Sequence, residues 1–126
     1  MKSRKTNLIS IMIVATVMLF ASCKKEGTGG KSSIKGGVKH HSAIIANAVV
    51  YIKYGAKDFP GADVSKYDAN VTCDANGNYE IKELRKGDYY LYGVGYDSGI
   101  SVNVYGGLSA KLRNSESINL DIAVVE

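Results

Sequence analysis

The sequence predicts an all-β fold of about seven to eight strands, a Greek-key β-sandwich or a small barrel, behind an export signal. Two observations carry the fold. From Ile34 onward short apolar runs alternate with a period of two, and no window holds a sustained i, i+3, i+4, i+7 stripe. Clusters of Gly, Asn and Asp punctuate those runs at intervals of roughly ten residues. A third observation bounds the answer: 126 residues with 45% hydrophobic content are enough for one domain and too few for two. The division expected is 1–22 signal peptide, 23–33 lipidated Cys and flexible linker, and 34–126 β-sandwich.

The first segment reads as an address. Lys2, Arg4 and Lys5 form a basic start, and Leu8 to Phe20 is an apolar run without charge. A membrane-spanning helix needs about 20 apolar residues, so this run is short for a permanent span and suits a signal sequence. Phe20-Ala21-Ser22-Cys23 resembles the lipobox of bacterial lipoproteins, with Phe20 where Leu is most common. The resemblance implies cleavage between Ser22 and Cys23, a diacylglyceryl group on the Cys23 thiol and a further acyl chain on the new amine. An ordinary secretory signal is the alternative. Each buried CH₂ contributes about 0.8 kcal/mol, so two or three acyl chains hold a protein to a membrane stably. The expected location is a lipid-anchored outer-membrane protein, on the periplasmic side or at the cell surface.

Charge changes with that cleavage. The precursor carries sixteen basic and twelve acidic residues, a net charge of +4. Loss of Lys2, Arg4 and Lys5 reduces it to +1, which leaves no basic patch to recommend nucleic acid as a partner. Lys24 to Ser33 has no apolar residue and reads as a solvated tether.

The strands follow in order. Ile34 to Lys39 is the first, with Ile34, Gly36 and Val38 on one face. Ala48 to Tyr54 is the second, with Ala48, Val50 and Ile52 inward and Val49, Tyr51 and Lys53 outward. Asn70 to Asp74 is a short third. Asp74-Ala75-Asn76-Gly77-Asn78 is a turn, because Gly77 tolerates positive φ and Asp74 and Asn76 can bond the turn backbone. Asn78 to Lys82 returns with Tyr79 and Ile81 inward, and Leu84-Arg85-Lys86-Gly87 turns into a long strand, Asp88 to Tyr96. Ser101 to Tyr105 follows, Gly106-Gly107 reads as a break, and Leu108 to Arg113 is a further short strand. Ile118, Leu120, Ile122 and Val124 alternate with Asn119, Asp121, Ala123 and Val125, the pattern of one half-buried final strand.

Within this frame Gly37-Val38, Asn47 to Ile52, Asp74-x-x-Gly77-x-Tyr79-x-Ile81 and Leu84-x-x-Gly87-x-Tyr89-x-Leu91 resemble the carboxypeptidase regulatory-like domain, a transthyretin-like (prealbumin-like) β-sandwich. The resemblance covers most of Gly36 to Tyr96. It implies that Tyr89 and Leu91 are core residues and that the domain is a non-catalytic accessory module.

Candidate chemistry is sparse. His40-His41 is the one His pair, and adjacent strand residues point to opposite faces, so two solvated loop-edge histidines are expected in place of a metal site. No G-x-S-x-G nucleophile elbow is present, and no cofactor or catalytic residue is assigned. Asp74 to Asn78 lacks the spacing of a calcium loop. Cys73, the thiol that remains once Cys23 is acylated, is expected to be buried. The most suggestive feature is the Tyr row of the long strand. Tyr90, Tyr92 and Val94 share the face opposite Tyr89 and Leu91, and a row of exposed Tyr, with Tyr90, Tyr92 and Tyr96 as the possible binding surface, could stack on sugar rings or dock a protein. The alternative is that they pack across strands and simply cover the sheet.

The functional expectation is a membrane-anchored, non-enzymatic binding or structural module, its partners the membrane through Cys23 and a protein or glycan ligand. An adhesin or filament subunit is the alternative. A transthyretin-like hydrolase ranks last, because Ala123-Val124-Val125-Glu126 does not match the Tyr-Arg-Gly-Ser ending of that family.

Overall fold

A computed structural model describes residues 25–126. The signal peptide, its cleavage site at Ser22 and the lipid attachment at Cys23 lie outside the described residues. Nine strands occur among those described: β1 Thr28–His40, β2 Ala43–Ile44, β3 Val49–Tyr54, β4 Ala69–Thr72, β5 Asn78–Leu84, β6 Gly87–Asp97, β7 Val102–Leu112, β8 Ser117–Asn119 and β9 Ile122–Val124. A single 3₁₀ turn, Val64–Lys66, interrupts the β3–β4 connection. The strands form two sheets of a sandwich. One is β2-β1-β5, with β8 and β9 also pairing β1; the other is β4-β3-β6-β7.

The inward faces follow the period-two pattern. Val50 and Ile52 of β3, Tyr89 and Leu91 of β6, Ile34 and Val38 of β1 and Ile122 of β9 are all buried in one core. Ala48 and Cys73 join them, so the lone thiol among the described residues is a core group. Burial, and secondarily Asp74, pushes the Cys73 thiol up to about 11. The Asp74 turn forms as its residues dictate. Asp74 Oδ1 accepts from the N–H groups of Asn76 and Asn78, both at 2.9 Å, and Gly77 takes φ +72°.

Four expectations need correction. The tether is the first: β1 begins at Thr28, six residues before Ile34. Ser32 is buried there, donating from Oγ to the Arg113 carbonyl at 2.5 Å and accepting from the Glu116 N–H at 3.1 Å. Backbone and hydroxyl bonds hold this stretch, so apolar patterning could not reveal it.

The second concerns Gly106-Gly107, which does not break the chain; β7 runs through it in unbroken register with β6. The third concerns the final strand, which divides into β8 and β9, both parallel to β1. The division falls where Leu120 N–H donates to the Lys35 carbonyl at 2.7 Å. The last segment crosses so near Gly36 that any Cβ there would overlap the Leu120 carbonyl.

The fourth concerns the histidines. His41 is exposed in the turn after β1 with φ +56°. His40 is buried, not solvated, and its Nδ1 lies 2.8 Å from Asp97 Oδ2. Asp97 also accepts from the Gly99 N–H at 2.9 Å, which ties the β6–β7 turn to β1. The His40 hydrogen bond comes first among the causes that hold the Asp97 carboxyl below its usual range.

Candidate functional site

The outer face of the β4-β3-β6-β7 sheet is built from alternate residues of three strands. In register, Tyr51 of β3 lies beside Tyr92 of β6, and Tyr92 beside Gly107 of β7. Lys53 lies beside Tyr90, and Tyr90 beside Ser109. The aromatic residues therefore form a patch by cross-strand neighbourhood.

A long connection then folds over this patch. The β3–β4 segment from Gly55 to Asp68 carries Phe59 and Tyr67 back onto the sheet. Tyr67 stacks on Tyr92 with ring centroids 5.7 Å apart and an interplanar angle of 18°, and it also touches Tyr51 at 5.9 Å. Phe59 meets Tyr92 at 5.3 Å and Tyr90 at 5.8 Å. These spacings suit offset and tilted aromatic pairs. Polar bonds pin the segment. Asp68 Oδ2 accepts from the Tyr54 N–H at 2.7 Å, Lys53 Nζ lies 3.6 Å from Asp68 Oδ1, and Tyr67 Oη donates to the Gly61 carbonyl at 2.9 Å.

Beside the segment an open cleft of about 670 Å³ remains, lined by Phe59, Ala62, Tyr90, Tyr92, Tyr105, Gly106 and Gly107. Phe59 and Tyr105 are its exposed walls, at 53% and 45% exposure. Gly107 leaves the floor bare, since a Cβ there would stand 2.7 Å from Tyr90 Cε1 and 2.5 Å from the Leu91 carbonyl oxygen. Gly106 faces inward and lets the C-terminal segment pass, where Tyr105 and Val125 exchange backbone hydrogen bonds at 2.9 Å. Among the described residues, no charged one lines the cleft. Burial raises the Tyr90 and Tyr92 phenols above their ordinary value, and Tyr67 is raised to about 12, first by burial and then by Tyr90 and Tyr92. All three hydroxyls are thus neutral at physiological pH.

The Tyr row reads differently in space than in sequence. Tyr90 is half-buried and Tyr92 is buried under Phe59 and Tyr67, so the two are partly a cross-strand cover and partly a cleft wall. Tyr96 lies farther along β6, 53% exposed, and does not reach the cleft. Sequence patterning missed Phe59, Tyr67 and Tyr105. The one usable signal was the length of the β3–β4 connection with its three aromatic or proline residues, Phe59, Pro60 and Tyr67, because long connections in compact domains commonly serve binding.

No protein-family model and no curated protein sequence matches the chain. Among solved structures the fold is similar to a Pseudomonas aeruginosa protein described as a "putative carbohydrate binding protein". The TM-score is 0.55 at 14% identity, over 82% of this chain and 93% of that one. At that identity the likeness bears on the sandwich fold alone.

Proposed function

We propose that this protein is an exported lipoprotein, anchored through Cys23, whose β-sandwich is a non-enzymatic module that binds saccharide in the aromatic cleft. The observation that carries the reading is the cleft itself: two exposed aromatic walls, Phe59 and Tyr105, over a glycine floor. Pyranose rings present C–H faces that pack on aromatic rings, while their hydroxyls bond phenols at the rim. The neutral lining favours an uncharged sugar. The Pseudomonas protein of similar fold points the same way, and the lipobox-like Phe20 to Cys23 supports the anchor.

Self-assembly has less in its favour. The β5 edge carries Glu80, Lys82 and Glu83, and charges on an edge strand oppose pairing with another chain. The β7 edge is partly covered by Val125.

A neutral-glycan array followed by calorimetry tests the reading. The wild type is expected to bind at least one oligosaccharide class, and Phe59→Ala and Tyr105→Ala to weaken it about tenfold or more, since a stacked aromatic contributes about 1.5 kcal/mol. Absence of binding to any glycan, or binding unaffected by both substitutions, would overturn it. Replacement of Cys23 by Ala is expected to release the protein from membranes.

A further inference from the structure

The chain enters the sandwich without slack. Gly27 is buried; its N–H donates to Tyr89 Oη at 3.0 Å, and its carbonyl accepts from the Arg85 N–H at 2.8 Å. One residue earlier, Glu26 Oε1 accepts from the Asp88 N–H at 3.4 Å, and before that Arg85 Nη1 donates to the Lys25 carbonyl at 3.2 Å. The backbone is therefore held from Lys25 onward. Cys23 is two residues earlier, and two extended residues span about 7 Å.

Cations gather around this entry. Lys31, Arg85 and Lys86 border one concavity, and Lys86, Lys111 and Arg113 border the next. None of these five, nor Lys25, joins the ion pairs found among the described residues, which use Lys39, His40, Lys53 and Lys82. The carboxylates of the same end are Glu26, Glu83, Asp88 and Glu116. The far end of the sandwich differs in kind. Segments 40–48, 73–78 and 96–104 hold Asp74 and Asp97 and no Lys or Arg. Glu126 is also there, because Val124 pairs with His40. The two ends thus differ: cations outside the ion pairs collect where the chain enters, whereas at the opposite tip Asp97 is paired with His40 and Asp74 shares a concavity with Lys39.

We infer that the sandwich is seated on the bilayer that carries its anchor, with Lys31, Arg85, Lys86, Lys111 and Arg113 against anionic lipid headgroups. The inference rests on the reading that Cys23 is lipidated, and deepens it by giving the domain an orientation. A short tether keeps these cations within a Debye length of the surface, where each is attracted to negative headgroups. The cleft then spans roughly 10–23 Å above the headgroups, by the rise of β7 from Leu112 to Ser109, which lies beside Tyr90, and on to Tyr105.

The test uses the full lipidated protein in phosphatidylcholine vesicles with or without phosphatidylglycerol. Lysines are acylated by a membrane-impermeant reagent and located by mass spectrometry. Lys31, Lys86 and Lys111 are expected to react several-fold more slowly in the anionic vesicles than in detergent, while Lys35 and Lys39 stay unchanged. A double variant, Lys86→Glu with Lys111→Glu, is expected to remain vesicle-bound and lose the protection at Lys31. Uniform reactivity on anionic vesicles to which the protein stays bound overturns the seating and leaves the anchor standing. A protein that does not float with either vesicle removes the anchor and the seating together.

Discussion

Tyr89→Phe isolates the bond that fastens the chain entry to the sandwich. The Tyr89 ring is fully buried and meets Tyr54 edge-on at 5.8 Å and 83°. Phenylalanine keeps that ring packing and deletes only the hydroxyl. Two good hydrogen bonds are lost, the one accepted from Gly27 N–H at 3.0 Å and the one donated to the Arg85 carbonyl at 2.6 Å. Each contributes roughly 0.5–1.5 kcal/mol net, and a buried donor left unpaired costs about 1–3 kcal/mol. The Gly27 amide is buried and has no second acceptor among the described residues, so a loss of about 2 kcal/mol is expected. For a domain of this size that lowers Tm by roughly 8–16 °C. Urea denaturation and calorimetry measure it, with Tyr96→Phe as the exposed control, expected to stay within about 0.5 kcal/mol. Amide exchange adds a local readout: the Gly27 N–H should lose protection ahead of the core strands. A change below about 0.5 kcal/mol, with Gly27 still protected, would refute the role given to this hydroxyl.

Other outcomes follow from the same structure. Asp97 has a carboxyl pKa held below the ordinary 3.8, so its contribution is present above that pH and is lost as pH falls through the depressed value. Asp97→Asn should therefore flatten the acid limb of a stability–pH curve below about pH 4, read by urea midpoints at each pH. Cys73, with its thiol raised to about 11, should resist a thiol reagent at pH 8 until denaturant is added. Rapid labelling of the native protein would contradict its place in the core. Gly36→Ala should cost about 3 kcal/mol or more, because its Cβ meets the Leu120 backbone, which cannot rotate away; an unchanged denaturation midpoint would show that β8 and β9 can shift freely.

Sequence patterning and structure agree where the cause is local. Val50 and Ile52 follow from a two-residue period and the Asp74–Gly77 turn from the short-range bonds of Asp and Gly, while the core place of Tyr89 and Leu91 is what the family resemblance implied. Disagreement arises where side-chain polarity hides a long-range role. Ser32 looked like tether and is buried, because its hydroxyl closes bonds to Arg113 and Glu116 from more than eighty residues away. His40 looked like a loop-edge residue and is buried, because Asp97 supplies its partner across 57 residues. Gly106-Gly107 looked like a break. In a strand paired along its whole length the missing side chains instead make room, inward for the C-terminal segment and outward for the cleft floor.

The amino-acid sequence by itself determined the all-β class, the inward and outward faces of β3, the alternation along β6 and the turn chemistry, since these depend on neighbours within a few residues. The tertiary structure alone decided three things: that Phe59 and Tyr67 fold over Tyr90 and Tyr92, that Tyr105 faces Phe59 across bare backbone, and that the cations collect at the chain entry. Each depends on which strands become neighbours, and pairing between distant segments is set by the packing of the whole core rather than by any local run of residues.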